Sequence, residues 1–192
     1  NWPNDERRLP QRAEPRFALC GLNCGLCPRF HTEGGSRCPG CGGPEFDLKH
    51  PTCAIVRCSS RHGEVEFCFQ CEDYPCDRYL TTPAKDSFIT YQNLLENHQK
   101  AKQDGLASYV DQLSRRMEIL EELLQGYNDG RSKNFFCLAT NLLPLQDLQM
   151  LMEQIREDTS LVLLEPKSRS KQVRTMLEQL ALQHNLTLKL RD

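Results

Sequence analysis

Apolar residues recur through the second half of the chain at helical intervals. Leu113, Met117, Leu120 and Leu124 stand four, three and four residues apart, the spacing that lines one face of an α-helix. The segment 87–103 predicts a preceding helix that ends near Gly105, and Asn128-Asp129-Gly130 predicts a turn. Phe135 to Leu143 is a compact apolar stretch. Pro144 follows, suited to a first helical turn, and Leu145, Leu148, Met152 and Ile155 then repeat the helical spacing. Val173, Leu177 and Leu180 mark a further helix. Two stretches read differently. Leu161 to Leu164 suggests a short buried strand, and Leu186-Thr187-Leu188-Lys189-Leu190 alternates with the period of two that strands require. The expectation is a helical region over 84–158 and a β-α-β element over 159–192, hence an α+β protein.

The first half has no such period. Residues 1–17 carry three prolines and four arginines among few apolar residues and read as a flexible N-terminal arm. Residues 18–80 hold most of the glycines and ten of the eleven cysteines, in short, turn-rich spacings. Beyond about residue 86 glycine and cysteine become rare, and leucine, glutamine and glutamate dominate. That shift marks a boundary between a cysteine-rich module over 18–80 and the helices.

The cysteines are Cys20, Cys24, Cys27, Cys38, Cys41, Cys53, Cys58, Cys68, Cys71 and Cys76, with only Cys137 outside the cluster. An odd count in clustered CxxC pairs argues against a secreted disulfide framework and for metal. Cys24/Cys27, Cys38/Cys41 and Cys68/Cys71 are CxxC pairs, in which one tight turn aims both sulfurs at a single ion; zinc accepts four such sulfurs tetrahedrally at about 2.3 Å. The glycines after Cys41 suit a backbone that turns its N–H groups toward the sulfurs. Cys53-x4-Cys58 supplies a looser fourth pair. Four pairs make two four-thiolate zinc sites and leave Cys20 and Cys76 over. Which pairs share an ion stays open at the level of sequence.

Energetics favour metal. Only twelve other apolar residues lie between Cys20 and Cys76, too few to offset the chain entropy of such a segment by burial. A structural zinc contributes on the order of 10–16 kcal/mol at neutral pH. His31, His50 and His62 are candidate fourth ligands, with a solvated loop position the simpler reading for each. The alternative metal is an iron–sulfur cluster, since four cysteines serve both. Cys20-x3-Cys24-x2-Cys27 also has the spacing of radical enzymes that use S-adenosylmethionine, but the helical remainder leaves no room for the barrel such enzymes need.

Taken in order, Cys20-Gly21-Leu22-Asn23-Cys24-Gly25-Leu26-Cys27, the Cys38-x2-Cys41 knuckle, Cys53-Ala54-Ile55-Val56-Arg57-Cys58 and Phe67-Cys68-Phe69-Gln70-Cys71-Glu72-Asp73-Tyr74-Pro75-Cys76 resemble a cysteine-rich bacterial and archaeal family known only as a domain of unknown function. The likeness extends into Asn93-Leu94, Gly105-Leu106, Tyr127 to Gly130 and Phe136 to Ala139. The resemblance implies a zinc-binding module and no established activity.

Charge narrows the function classes. The chain has 24 basic and 26 acidic residues, a net charge of −2, whereas nucleic-acid binders usually carry a basic face. Residues 20–80 hold six basic and eight acidic side chains, and thiolate sites would add further negative charge, so nucleic acid is not expected as a partner. No run of about 18 apolar residues suggests a membrane span and no signal-type apolar region opens the sequence, so a cytoplasmic protein is expected. Cys137, in Phe135-Phe136-Cys137-Leu138-Ala139, reads as core packing, and His98 and His184 as surface or capping residues. No nucleotide-binding, nucleophile-elbow or zinc-protease motif is present. The expectation is a structural zinc protein, holding about two ions and acting as an interaction or scaffold module for a protein partner, rather than an enzyme. The competing class is an iron–sulfur or thiol redox protein that uses the same cysteines.

Overall fold

The computed structural model describes residues 11–50, 53–80 and 84–192. Its elements are helices: α1 (Phe46–Lys49), α2 (Ala54–Ser59), α3 (Asp77–Leu80), α4 (Leu94–Gln103), α5 (Leu106–Gly126), α6 (Lys133–Leu142), α7 (Leu145–Glu157), α8 (Thr159–Val162) and α9 (Pro166–Gln183), with short 3-10 turns at Cys24–Leu26 and Cys68–Gln70. The described residues contain no strand.

The periodicities become one buried seam. α5 contributes Leu113, Leu120 and Leu123, α7 contributes Leu148, Met152 and Ile155, and α9 contributes Val173, Leu177 and Ala181, all in one core with Phe136 and Cys137 of α6. α5 packs against α4, α6 and α7, and α9 closes over α6 and α7. Pro144 stands just before the first turn of α7. No helix among the described residues is long and apolar enough to cross a membrane.

The α+β expectation is therefore wrong, and the error lies in the C-terminal β-α-β element. Leu161 and Val162 belong to the single turn α8, at whose start the Asp158 carboxylate accepts from the Ser160 N–H at 3.0 Å, and Leu163 and Leu164 follow it. Leu161 is buried and Leu164 packs partly on the core, while Val162 and Leu163 are 69 % and 87 % exposed. After α9 the chain reverses through Asn185, which takes a left-handed φ of 55°. Leu186 and Leu188 then pack on the core from an extended segment. Their alternation reports half-burial, but a strand also needs a ladder partner, and among the described residues the segment forms no ladder, only a single backbone bond from the Asp86 N–H to the Arg191 carbonyl at 3.0 Å. What holds the segment instead is the Asp86 carboxylate, which accepts from the Arg191 N–H at 2.9 Å and from its guanidinium at 2.8 Å.

The cysteine-rich region sits directly on the helices. Phe17, Leu26 and Phe67 are fully buried in the same core as α5 and α6, and the turn at Cys24–Leu26 packs on both helices. Of the stretch read as an arm, residues 1–10 lie outside the described residues. At its inner end Arg12 is only 6 % exposed. Its guanidinium donates to the carbonyls of Phe17, Cys41 and Glu66 at 2.9, 3.3 and 2.8 Å and lies over the Phe67 ring.

Candidate metal centre

Two of the CxxC pairs are built alike. In each, a 3-10 turn starts at the first cysteine, and the second cysteine donates its N–H back to the first one's carbonyl: Cys27 to Cys24 and Cys71 to Cys68, both at 3.0 Å. One tight turn thus brings each pair of side chains to the same side of the backbone. At the third pair Gly40 turns the chain with φ of 86°, and a Cβ there would stand 2.3 Å from the Pro15 carbonyl oxygen, so only glycine fits. Cys41 donates its N–H to that same oxygen at 2.8 Å.

Backbone donors converge on the sulfurs. The Leu22 N–H points at Cys20, those of Arg29 and Phe30 at Cys27, and that of Leu19 at Cys41. Such N–H groups favour a thiolate over a thiol, as metal ligands require. The Tyr79 hydroxyl does the same for Cys68. Against this, burial pushes the thiols of Cys20, Cys24, Cys27 and Cys41 upward, with neighbouring cysteines adding to the rise. Cys68 is pushed up to about 11, first by burial and then by Cys58, Cys76 and Cys71. Buried thiolates this close together repel, and a cation is what makes them compatible.

These mutual influences sort the cysteines into two groups. Cys58, Cys68, Cys71 and Cys76 line one small pocket, with Ile55, Val65, Tyr74 and Tyr79 as its apolar walls. Cys20, Cys24, Cys27, Cys38, Cys41 and Cys53 form the other group: Cys41 and Cys53 act on Cys20, Cys41, Cys20, Cys27 and Cys38 act on Cys24, and Cys38 acts on Cys27. Cys68 also acts on Cys20, so the two groups are neighbours.

Cys53 and Cys58, read from sequence as a pair, fall in different groups. Cys53 caps the start of α2 and Cys58 lies in its last turn. Cys53 itself is extended, with φ of −104° and ψ of 121°, so it precedes the helix that carries Cys58. Cys20 and Cys76, the two left over by pairing, each join a group of thiols.

The sulfurs are spread more widely than a bound zinc would hold them. Tetrahedral bonds of about 2.3 Å bring sulfurs to about 3.8 Å from one another. Among the described residues, the one set of three or more such ligand atoms within 4.8 Å of one another is His62, Cys71 and Asp73. All eleven cysteines are free of disulfides.

The histidines divide. His62 pairs with Asp73 at 3.2 Å beside Cys71. His31 is hydrogen-bonded to the Gly25 carbonyl at 2.7 Å, and burial lowers its pKa. His50 stacks on Phe46. His98, which the sequence places at the surface or at a cap, is fully buried among Phe17, Phe69, Tyr74 and Tyr79, with Nδ1 3.2 Å from the Tyr74 hydroxyl. Burial lowers its pKa to about 4. The Cys20–Cys24 loop rests on it: a Cβ at Gly21 would meet His98 Cδ2 and the Leu94 carbonyl oxygen, each at 2.8 Å. Cys137 is 2 % exposed in the helical core, its thiol pushed up to about 12 chiefly by burial.

Sequence reasoning missed Arg12, His98 and Asn23. Nothing local marks Arg12 or His98, since their partners come from distant segments. Asn23, between two cysteines, looks like an ordinary loop residue but is 3 % exposed.

No curated protein matches the chain, and no solved structure does. The match that exists covers the cysteine-rich region and stops before α4. Residues 16–81 match the model of the family described as Protein of unknown function (DUF3795).

Proposed function

We propose that the cysteine-rich half is a metal centre with two sites, one on each side of α2, and that the metal is structural. Cys58, Cys68, Cys71 and Cys76 would hold one site. Cys20, Cys24, Cys41 and Cys53 would hold the other, with Cys27 and Cys38 as adjacent donors. The observation that carries the reading is the convergence of four thiols from three segments on one pocket. Soft thiolate donors suit zinc or iron–sulfur clusters rather than hard cations. In the zinc form both sites would be coordinatively closed, and the protein would serve as a rigid interaction or scaffold module for a protein partner.

A second reading has an observation of its own. Because no three cysteine sulfurs lie within 4.8 Å of one another among the described residues, each group suits a centre larger than a single ion. An iron–sulfur cluster is held by four thiolates and supplies electron transfer when bound. The residues would be the same; the chemistry would be redox.

Visible absorption and labile sulfide of anaerobically purified protein separate the two. A colourless protein with zinc supports the structural reading, and a brown protein with iron and sulfide replaces it. Chelation gives the structural test. It should unfold residues 20–76 while α5 to α9 keep most of their far-UV signal, and a cysteine region that keeps its fold without metal counts against a structural role.

A further inference from the structure

Beyond the cysteines, a polar cavity of about 130 Å³ lies between α4, α5 and the junction of α6 with α7. Its walls are amides already committed to one another. Asn23 Nδ2 donates to Asn141 Oδ1 at 2.9 Å, Asn97 Nδ2 donates to the Gly21 carbonyl at 2.9 Å, and the Tyr109 hydroxyl donates to Asn23 Oδ1 at 2.8 Å. These bonds hold the wall in one shape.

Two wall groups stay incompletely matched: Asn93 Oδ1, a buried acceptor with no hydrogen-bond partner among the described residues, and Arg116. Arg116 Nη1 donates to the carbonyl oxygens of Thr140 and Leu143 at 2.6 and 2.7 Å, so it closes the last turn of α6. No carboxylate lies within 4.0 Å of it among the described residues. Glu96, the acid on the same cavity, pairs with Lys100 at 2.6 Å. A guanidinium drawn partly out of water without a counter-charge is costly, and an anion that enters the cavity relieves that cost. The Nη2 and Nε edge remains for it. Gln112, also on the wall, makes no side-chain hydrogen bond among the described residues and can read what the anion carries.

We propose that this cavity binds a small monocarboxylate of amino-acid size, with its two oxygens on the free edge of Arg116. Arg116 and Lys100 against Glu96 leave one positive charge, which a single carboxylate balances. The planar guanidinium fork matches a planar carboxylate in two parallel hydrogen bonds. Size points the same way. Water takes about 30 Å³ per molecule, so the space suits a carboxylate with a few further heavy atoms and is smaller than the roughly 300–1,000 Å³ typical of pockets for larger small molecules. The proposal does not depend on metal in the cysteine groups.

The test is a ¹⁵N NMR titration of the intact metal-loaded chain, reading Arg116 Nε and the side-chain amides of Asn23 and Asn141. Sodium acetate and glycine are the probes, sodium chloride is the ionic-strength control, and inorganic phosphate is the competing anion. Acetate and glycine should shift these resonances saturably, and chloride should not. Arg116→Gln should abolish the response and Arg116→Lys should weaken it. Because Arg116 also closes α6, Gln112→Glu is the second variant; it places a carboxylate in the cavity away from those carbonyls, and should weaken binding about tenfold or more. Three results overturn the proposal: no saturable shift with either carboxylate, equal affinity in Gln112→Glu, or tighter saturation by phosphate.

Discussion

Asn23, in the loop between Cys20 and Cys24, donates its side-chain amide to Asn141 of α6, 118 residues further along the chain, at 2.9 Å. Asn141 also accepts from Asn93 at 3.0 Å, and Tyr109 donates to Asn23 from α5. One buried polar node therefore ties the cysteine loop to three helical segments. Asn141→Ala removes the acceptor that both amides use. It should destabilise the protein by about 1–3 kcal/mol, the cost of leaving buried donors unmet. Urea unfolding of the intact chain measures it, and a double-mutant cycle with Asn23→Ala should show coupling of about 0.5 kcal/mol or more.

Gly21 has no room for a side chain. Its φ of 93° and the 2.8 Å approach of a built Cβ to a backbone oxygen of α4 leave no relaxation that spares the helix. Gly21→Ala should lower stability by about 1–3 kcal/mol, the range for strained backbone positions. A thermal melt of the variant beside the unmodified chain checks this.

His98 should be neutral throughout the physiological range. Its folded pKa of about 4 lies below the ordinary value near 6.5. The folded state then binds fewer protons than the unfolded one between these values. The stability it contributes is full above about pH 6.5 and is lost as pH falls toward 4. The His98 imidazole resonances of the native protein should not titrate between about pH 8 and pH 5. A midpoint near 6.5 would contradict the buried, uncharged placement.

The C-terminal segment depends on Asp86. Its carboxylate is buried, and the Arg191 guanidinium with the Arg191 and Tyr91 N–H groups holds its pKa well below the ordinary range. The sign follows: the tether is intact above the unfolded carboxylate pKa and weakens as pH falls below it. Asp86→Asn should release residues 186–192 at neutral pH while the helical core stays folded. Amide exchange at Leu188 and Arg191 should rise in the variant and stay unchanged at Leu120.

The helices were legible because their periodicity is local. Leu148, Met152 and Ile155 share a face whatever packs on it. The tight turns at Cys24–Cys27 and Cys68–Cys71 were legible for the same reason. The strands were misread because alternation at Leu186, Leu188 and Leu190 records which side is half-buried, and says nothing about whether a second strand lies alongside. Grouping of the cysteines was out of reach of the sequence, since their neighbours come from separate segments: Cys58 lines a pocket with Cys68, Cys71 and Cys76, and Cys53 acts on Cys20. The burial of His98 depends on rings that Phe17, Phe69, Tyr74 and Tyr79 bring from separate segments, and no window of sequence contains them.

The proposed division of the two sites by α2 makes its own prediction. Cys53→Ser should disturb the centre that includes Cys20 and Cys41 and leave the other loaded, and Cys58→Ser should do the reverse. Each variant should lose about one metal centre per chain, read by metal analysis, and the double variant should lose both. If the two single variants and the double variant all lose the same single centre, α2 does not divide two sites.

The most direct measurement of the central claim is native mass spectrometry of the intact chain, purified without oxygen and without added metal. The account predicts a dominant species carrying two metal centres, as zinc ions or as iron–sulfur clusters, that falls to the bare chain mass on chelation. A folded chain at its bare mass, with the cysteine region ordered and no metal bound, would contradict it.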